Sequence, residues 1–289
     1  MDITKYNRET SFQTFGVKTE PAIILIHGLG LCKDLWVDIV PELAKVYHVI
    51  VYDLYGHGFS KPLDSEASLE IFSTQIIDLM AYLNIKKAHF IGFSIGGMIN
   101  RKLAINHPEK VLSLIILNSP HQREPKLQRI VEERADQVRE EGVSATLDDA
   151  LIRWFTEKFR LKYGNKIALV VKWRKLVDSK SYASTARVLA LGVNELINQK
   201  KNDKIRTLVM TCEKDSGSTP RMAREIARDY NCSELVLVPY LRHLGLMEDP
   251  RAFLIPILNF LRGSNIALIL GDNIFYGHNL SLIHISEPT

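Results

Sequence analysis

Lys87 to Met98 reads Lys-Ala-His-Phe-Ile-Gly-Phe-Ser-Ile-Gly-Gly-Met: an apolar run, a Gly-x-Ser-x-Gly core and a helix-like continuation. Few backbones accept that order. It predicts a strand that ends at Phe93, turns sharply at Ser94 and feeds at once into a helix. Ser94 then sits at the apex of a strained turn with its hydroxyl in the open. Gly92 and Gly96 have no Cβ, so strand and helix can pass close together. Alone, the motif is also compatible with a plain glycine-rich turn, and its partners elsewhere in the chain decide whether it carries chemistry.

The surrounding pattern is that of a layered α/β protein. Ala22–Ile26 is a continuous apolar run closed by His27-Gly28, as expected of a strand buried on both faces. Val49–Tyr52 and Val111–Leu117 repeat the signal, and between them Leu69, Phe72, Ile76, Leu79, Met80 and Leu83 fall at helical spacing. Strand and helix alternate, which predicts a mostly parallel sheet covered by helices on both faces. From Pro120 to Asp203 the pattern changes to helical periodicity alone, with amphipathic helices expected over 127–138 and 147–159. Strands resume at Arg206–Thr211 and Glu234–Val238. Thr219-Pro220 and Asp249-Pro250 each put a capping side chain before a proline at the first helical position. The predicted division is a core of 1–119 and 204–262, a helical cap of 120–203, and a tail of 263–289.

The 289 residues are 46% hydrophobic and 24% charged, enough to bury a sizeable core, and a net charge of +4 does not imply a nucleic-acid partner. No apolar leader precedes Glu20 and no apolar run is long enough to span a membrane. Cys32, Cys212 and Cys232 have no metal-ligand spacing. An odd set of cysteines without a leader fits reduced thiols in a cytoplasm.

A serine hydroxyl needs a base to take its proton, an acid to orient that base, and donors for the oxyanion. The chain offers each beyond a strand end. His243 follows the last strand, and Asp215 follows Arg206–Thr211. The loop His27-Gly28-Leu29-Gly30 follows the first buried strand, so the backbone N–H groups of Leu29 and Ile95 are the expected oxyanion donors.

Taken together, His27–Gly30, Asp53-Leu54-Tyr55-Gly56-His57-Gly58-Phe59-Ser60, Gly92–Gly97, Asp215 with Thr219-Pro220, and His243 resemble the α/β-hydrolase superfamily over about residues 20–262. The order Ser94, Asp215, His243 is the order expected of that fold. Arg153-Trp154-Phe155-Thr156 and Phe159-Arg160 resemble a stretch of the 3-oxoadipate enol-lactonases. The resemblance implies a capped serine hydrolase cleaving a small carboxylic ester or lactone through an acyl-enzyme, with no cofactor and no metal. Carbon–carbon bond hydrolysis by the same triad and a non-catalytic ligand receptor on this fold are the alternatives it leaves open.

Other polar residues are expected to serve structure. Asp53 and His57 belong to a turn, His27 shapes its loop and Trp36 belongs to the core. Trp154 and His121 are the candidate substrate contacts. Residues 153–187 hold ten basic and two acidic residues, a balance that suits an anionic substrate. The tail reads differently. Ala267–Gly277 resembles the metal-site strand of sugar-phosphate nucleotidylyltransferases, but one strand makes no site and Asp272 is not read as a ligand. Leu280–Thr289 resembles a translated sequencing adapter, so the tail is read as foreign to the fold.

Overall fold

The computed structural model describes residues 9–197, 199, 204–230 and 233–263, and the backbone of short strands at 5–6, 267–270, 273–276 and 283–284. Cys232 and Asp272 lie outside the described residues, as do the side chains on which the adapter reading of the tail rests. The backbone given there is a three-stranded antiparallel sheet of β9 (Ala267–Leu270), β10 (Asn273–Tyr276) and β11 (Ile283–His284).

The main sheet has eight strands: β1 (Lys5–Tyr6), β2 (Thr10–Phe15), β3 (Ala22–Ile26), β4 (His48–Tyr52), β5 (Ala88–Phe93), β6 (Val111–Leu117), β7 (Arg206–Cys212) and β8 (Ser233–Val238). Their order is β1-β2-β4-β3-β5-β6-β7-β8. β2 runs antiparallel to β1 and β4, and the other pairs are parallel. The expected strands from β3 to β8 are all present. β2 gives no clear sequence signal, because it pairs near the sheet edge and only half of its six side chains are apolar or buried.

Alternation along the strands sorts the core into two layers. Ile24, Ile26, Ile50, Tyr52, Phe90, Leu114 and Ile116 face one way, under α2 (Leu69–Tyr82), α3 (Ile95–Asn106) and α9 (Pro220–Asp229). Ile23, Leu25, Val49, Val51, Ile91, Phe93 and Ile115 face the other, under Trp36, α1 (Val40–Leu43) and α11 (Pro250–Leu261). Trp36 is fully buried, as expected. Each such side chain contributes about 1.5–3 kcal/mol by leaving water, so both layers are needed to hold the strand ends in place. Ser68, Thr219 and Asp249 cap α2, α9 and α11 by accepting a backbone N–H.

Among the described residues between β6 and β7 the chain forms five α-helices, α4 (Pro125–Glu141), α5 (Leu147–Trp154), α6 (Glu157–Lys162), α7 (Gly164–Lys175) and α8 (Ser179–Leu191), followed by a short 3-10 helix at Gly192–Glu195. The single helix expected over 147–159 is two. Phe155 is extended (φ −120°, ψ 147°), and Thr156 restarts the helix by accepting the N–H of Phe159. The four-residue α10 (Gly245–Glu248) precedes α11. Among the described residues no helix is long and apolar enough to cross a membrane.

Candidate active site

The C-terminal ends of β3, β5, β6 and β7, and the loop after β8, converge on one cavity of about 270 Å³. Ser94 stands between β5 and α3 with φ +56° and ψ −116°, a conformation that costs an L-residue free energy and persists only where its surroundings impose it. Its N–H donates to Leu117 O at 2.8 Å, and its carbonyl accepts the N–H of Gly97 at 3.0 Å. The flanking glycines are obligatory. A Cβ on Gly92 would lie 2.2 Å from Gly96 O, and one on Gly96 would lie 2.2 Å from Ile26 O.

His243 Nδ1 donates to Asp215 Oδ2 at 2.6 Å. Asp215 is buried and accepts three more bonds: Asn118 Nδ2 at 2.9 Å on Oδ2, and the N–H groups of Gly217 and Ser218, each at 2.9 Å, on Oδ1. Burial alone would push this carboxyl up. The charge of His243, its hydrogen bond and those of Asn118 and Ser218 outweigh burial and hold it below the ordinary carboxylate range. With Nδ1 committed to Asp215, Nε2 is the nitrogen left to the cavity, which Ser94 and His243 both line. The imidazole is also walled by Phe93, 5.1 Å between ring centres, and Trp154, 6.2 Å.

Leu29 lines the same cavity from the loop after β3. Ile95 is the first residue of α3, so its N–H belongs to the helix-terminal donors that no carbonyl of its own helix can satisfy. Trp154 lies in the cavity wall, as expected. His121 does not. It stands against α9, with Nδ1 3.2 Å from Glu225 Oε2 and Nε2 3.3 Å from Asp229 Oδ2. Two carboxylates next to the ring hold it there, which its position just after β6 gave no way to foresee.

The remaining polar residues of the sheet edge are committed to structure. Asp53 accepts Lys33 Nζ at 2.7 Å and the N–H groups of Lys33 and Phe59. His27 Nε2 accepts the N–H of Leu54 at 2.9 Å, and His57 Nδ1 lies 3.0 Å from Tyr55 O. Burial lowers the pKa of His27 to about 4 and of His57 to about 3. Burial pushes the thiols of Cys32 and Cys212 well above their ordinary value.

Two features of the site were not read from the sequence. Asn118, the residue after β6, is a support of Asp215, and its signal is its place at the end of a central strand. The cavity wall from the helices between β6 and β7 also brings in Arg134, Arg153 and Arg174 beside apolar Leu127, Ile130 and Val138.

Residues 21–250 match the alpha/beta hydrolase fold family, and the chain belongs to it. It is a hydrolase of that fold. Among curated proteins it is 26% identical to 3-oxoadipate enol-lactonase 1 of Acinetobacter baylyi, over 88% of this chain and 93% of that protein. It is also 26% identical to (E)-2-((N-methylformamido)methylene)succinate hydrolase of the same organism, over 79% of this chain and 85% of that protein. Among solved structures, the enol-lactonase of Burkholderia xenovorans LB400 superposes with a TM-score of 0.79 at 26% identity, covering 88% of this chain and 96% of that one.

Proposed function

We propose that the protein is a serine hydrolase of small carboxylic esters or lactones, with Ser94 as nucleophile, His243 as general base and Asp215 as its orienting acid. The observation that carries this reading is the meeting of a strained, cavity-lining Ser94 with a His243 whose Nδ1 is fixed on a buried carboxylate at 2.6 Å. Ser94 Oγ attacks the carbonyl carbon while His243 Nε2 takes the hydroxyl proton. The carbonyl oxygen becomes an oxyanion, held by the N–H groups of Leu29 and Ile95, each contributing about 3 kcal/mol. The tetrahedral adduct collapses, the bond to the leaving oxygen breaks, and His243 returns its proton to that oxygen. Water, deprotonated by the same imidazole, then cleaves the acyl-enzyme and restores Ser94.

The helices between β6 and β7 act as a cap that sets substrate size and charge, with Trp154 as a contact surface beside the imidazole. Arg134 and Arg153 line the cavity, and among the described residues neither closes an ion pair. Arg153 Nε is buried without a hydrogen-bond partner. Burial, then the like charge of Arg134, lowers the Arg153 pKa to about 10, so it is still a cation at neutral pH. Such a wall favours a substrate that carries a carboxylate away from the reacting carbonyl. The test is a screen of esters and lactones of varied length and charge against a Ser94→Ala control. Turnover of small members, abolished in the control, is the expected result; no turnover of any ester or lactone counts against it.

A further inference from the structure

Arg174, on α7, is 1% exposed, and among the described residues it has no carboxylate partner. Its Nε donates to Val143 O at 2.9 Å and its Nη2 to Thr146 Oγ1 at 3.1 Å. The guanidinium lies over the Tyr182 ring at 4.0 Å, and the Trp154 ring centre is 5.9 Å away. Burial lowers its pKa, and the neighbour that offsets this is Tyr182 rather than any acid. The remaining nitrogen, Nη1, is pressed onto the loop after β3. Gly30 has φ +74°, and a Cβ added there would lie 2.6 Å from Nη1. The loop therefore needs glycine at that point twice over, for its backbone angle and for the guanidinium above it.

A buried cation without a counter-ion is unfavourable in the resting protein. It becomes favourable when negative charge develops beside it in a dry site. The loop it rests on is the one that carries the Leu29 N–H, and both Arg174 and Leu29 line the cavity that holds Ser94. We propose that Arg174 is a positioning residue of the oxyanion site: its guanidinium braces the Gly28–Gly30 loop and supplies a fixed positive charge behind the Leu29 donor. The charge is contributed by the helical insertion, so the insertion shapes the rate of acyl transfer as well as the choice of substrate. This inference rests on the Ser94 reading above.

The test uses the full chain, the neutral ester p-nitrophenyl butyrate, and n-butylboronic acid, which forms a tetrahedral anion on an active-site serine. Arg174→Met is expected to lower kcat about tenfold or more and to raise the boronate Ki by a similar factor, with KM within about threefold. Arg174→Lys, which keeps the charge, is expected to recover several-fold of both losses. Where Arg174→Met fails to fold, Arg174→Gln against Arg174→Lys makes the same comparison on a side chain that keeps polar contacts. A folded uncharged variant with wild-type kcat and Ki overturns the proposal. So does a Lys variant no better than the uncharged one, which would leave Arg174 as a pin of shape alone. Activity that survives Ser94→Ala overturns the nucleophile and the proposal together, whereas Ser94-dependent activity indifferent to Arg174 overturns only the latter.

Discussion

The edge of the sheet and the helices between β6 and β7 treat charge in opposite ways. At the sheet edge the buried carboxylates are saturated. Asp53 takes Lys33 and two backbone donors, and Asp215 takes His243, Asn118 and two backbone donors. In the insertion, Arg174 is buried against carbonyl, hydroxyl and ring, while Arg134 and Arg153 face the cavity with no ion pair among the described residues. Saturated groups hold one geometry; unsaturated charge is available to a ligand or to a transition state. The two regions are nevertheless fastened together at His243. Leu244 N–H donates to Trp154 O at 2.9 Å, Arg242 donates to Ile152 O, and Glu248 accepts from both Thr156 N at 2.7 Å and Thr156 Oγ1 at 2.6 Å.

The largest effects are expected at the sheet edge. Ser94→Ala or His243→Ala should lower kcat at least about 10⁴-fold with the fold retained, and Asp215→Asn should lower it about 10³-fold. Steady-state kinetics on a neutral ester, with circular dichroism as the folding control, measures all three. If Asp53→Asn removed activity while Asp215→Asn spared it, the division between the two carboxylates would be reversed. Asp53→Ala should instead cost about 3–5 kcal/mol in urea denaturation, because Lys33 is left buried and unpaired, with kcat per folded molecule within about threefold of wild type.

A smaller effect tests the insertion. Arg153→Gln should reduce kcat/KM about tenfold for an ester with a free carboxylate on its acyl arm, and by less than about threefold for its neutral counterpart. Equal losses on both esters would remove the charge argument. A separate effect is on stability against pH. His27 and His57 are held neutral in the folded protein, with pKa values of about 4 and about 3 against 6.5 in the unfolded chain. Above 6.5 both states are neutral and these groups contribute no slope. As pH falls from 6.5 toward 4 the unfolded chain takes up protons that the folded one refuses, so stability drops. Asp215 acts in a lower window: its depressed pKa adds stability above the ordinary carboxylate range, which is lost as pH falls through the folded value. Chemical denaturation at pH 7.5 and 5 should give a lower midpoint at pH 5, and His57→Phe should flatten the difference.

What could be read from the letters follows the same division. Ser94, Asp215 and Leu29 follow strands whose apolar runs are buried on both faces, and His243 follows the edge strand β8; in each case a strand end fixes where the next residue goes. Gly92 and Gly96 announce close backbone contact because no other residue fits there. β2 escaped because a half-polar strand one place in from the sheet edge lacks a clean alternation. The break at Phe155 escaped because apolar spacing continues across it while Thr156 restarts the helix. The position of Arg174 over Gly30 depends on how α7 and α8 pack, a long-range outcome that no local period encodes. The assignment of His121 to the cavity missed Glu225 and Asp229, about a hundred residues away in the chain, for the same reason.

The central claim is that Ser94 is a working nucleophile driven by His243. Intact-mass spectrometry after exposure to a fluorophosphonate measures it most directly. The account predicts one phosphonyl group per chain, mapped to Ser94, absent in Ser94→Ala and formed far more slowly in His243→Ala. A folded wild-type chain that stays unlabelled, or labelling that persists in Ser94→Ala, would contradict it and favour a ligand receptor built on this fold.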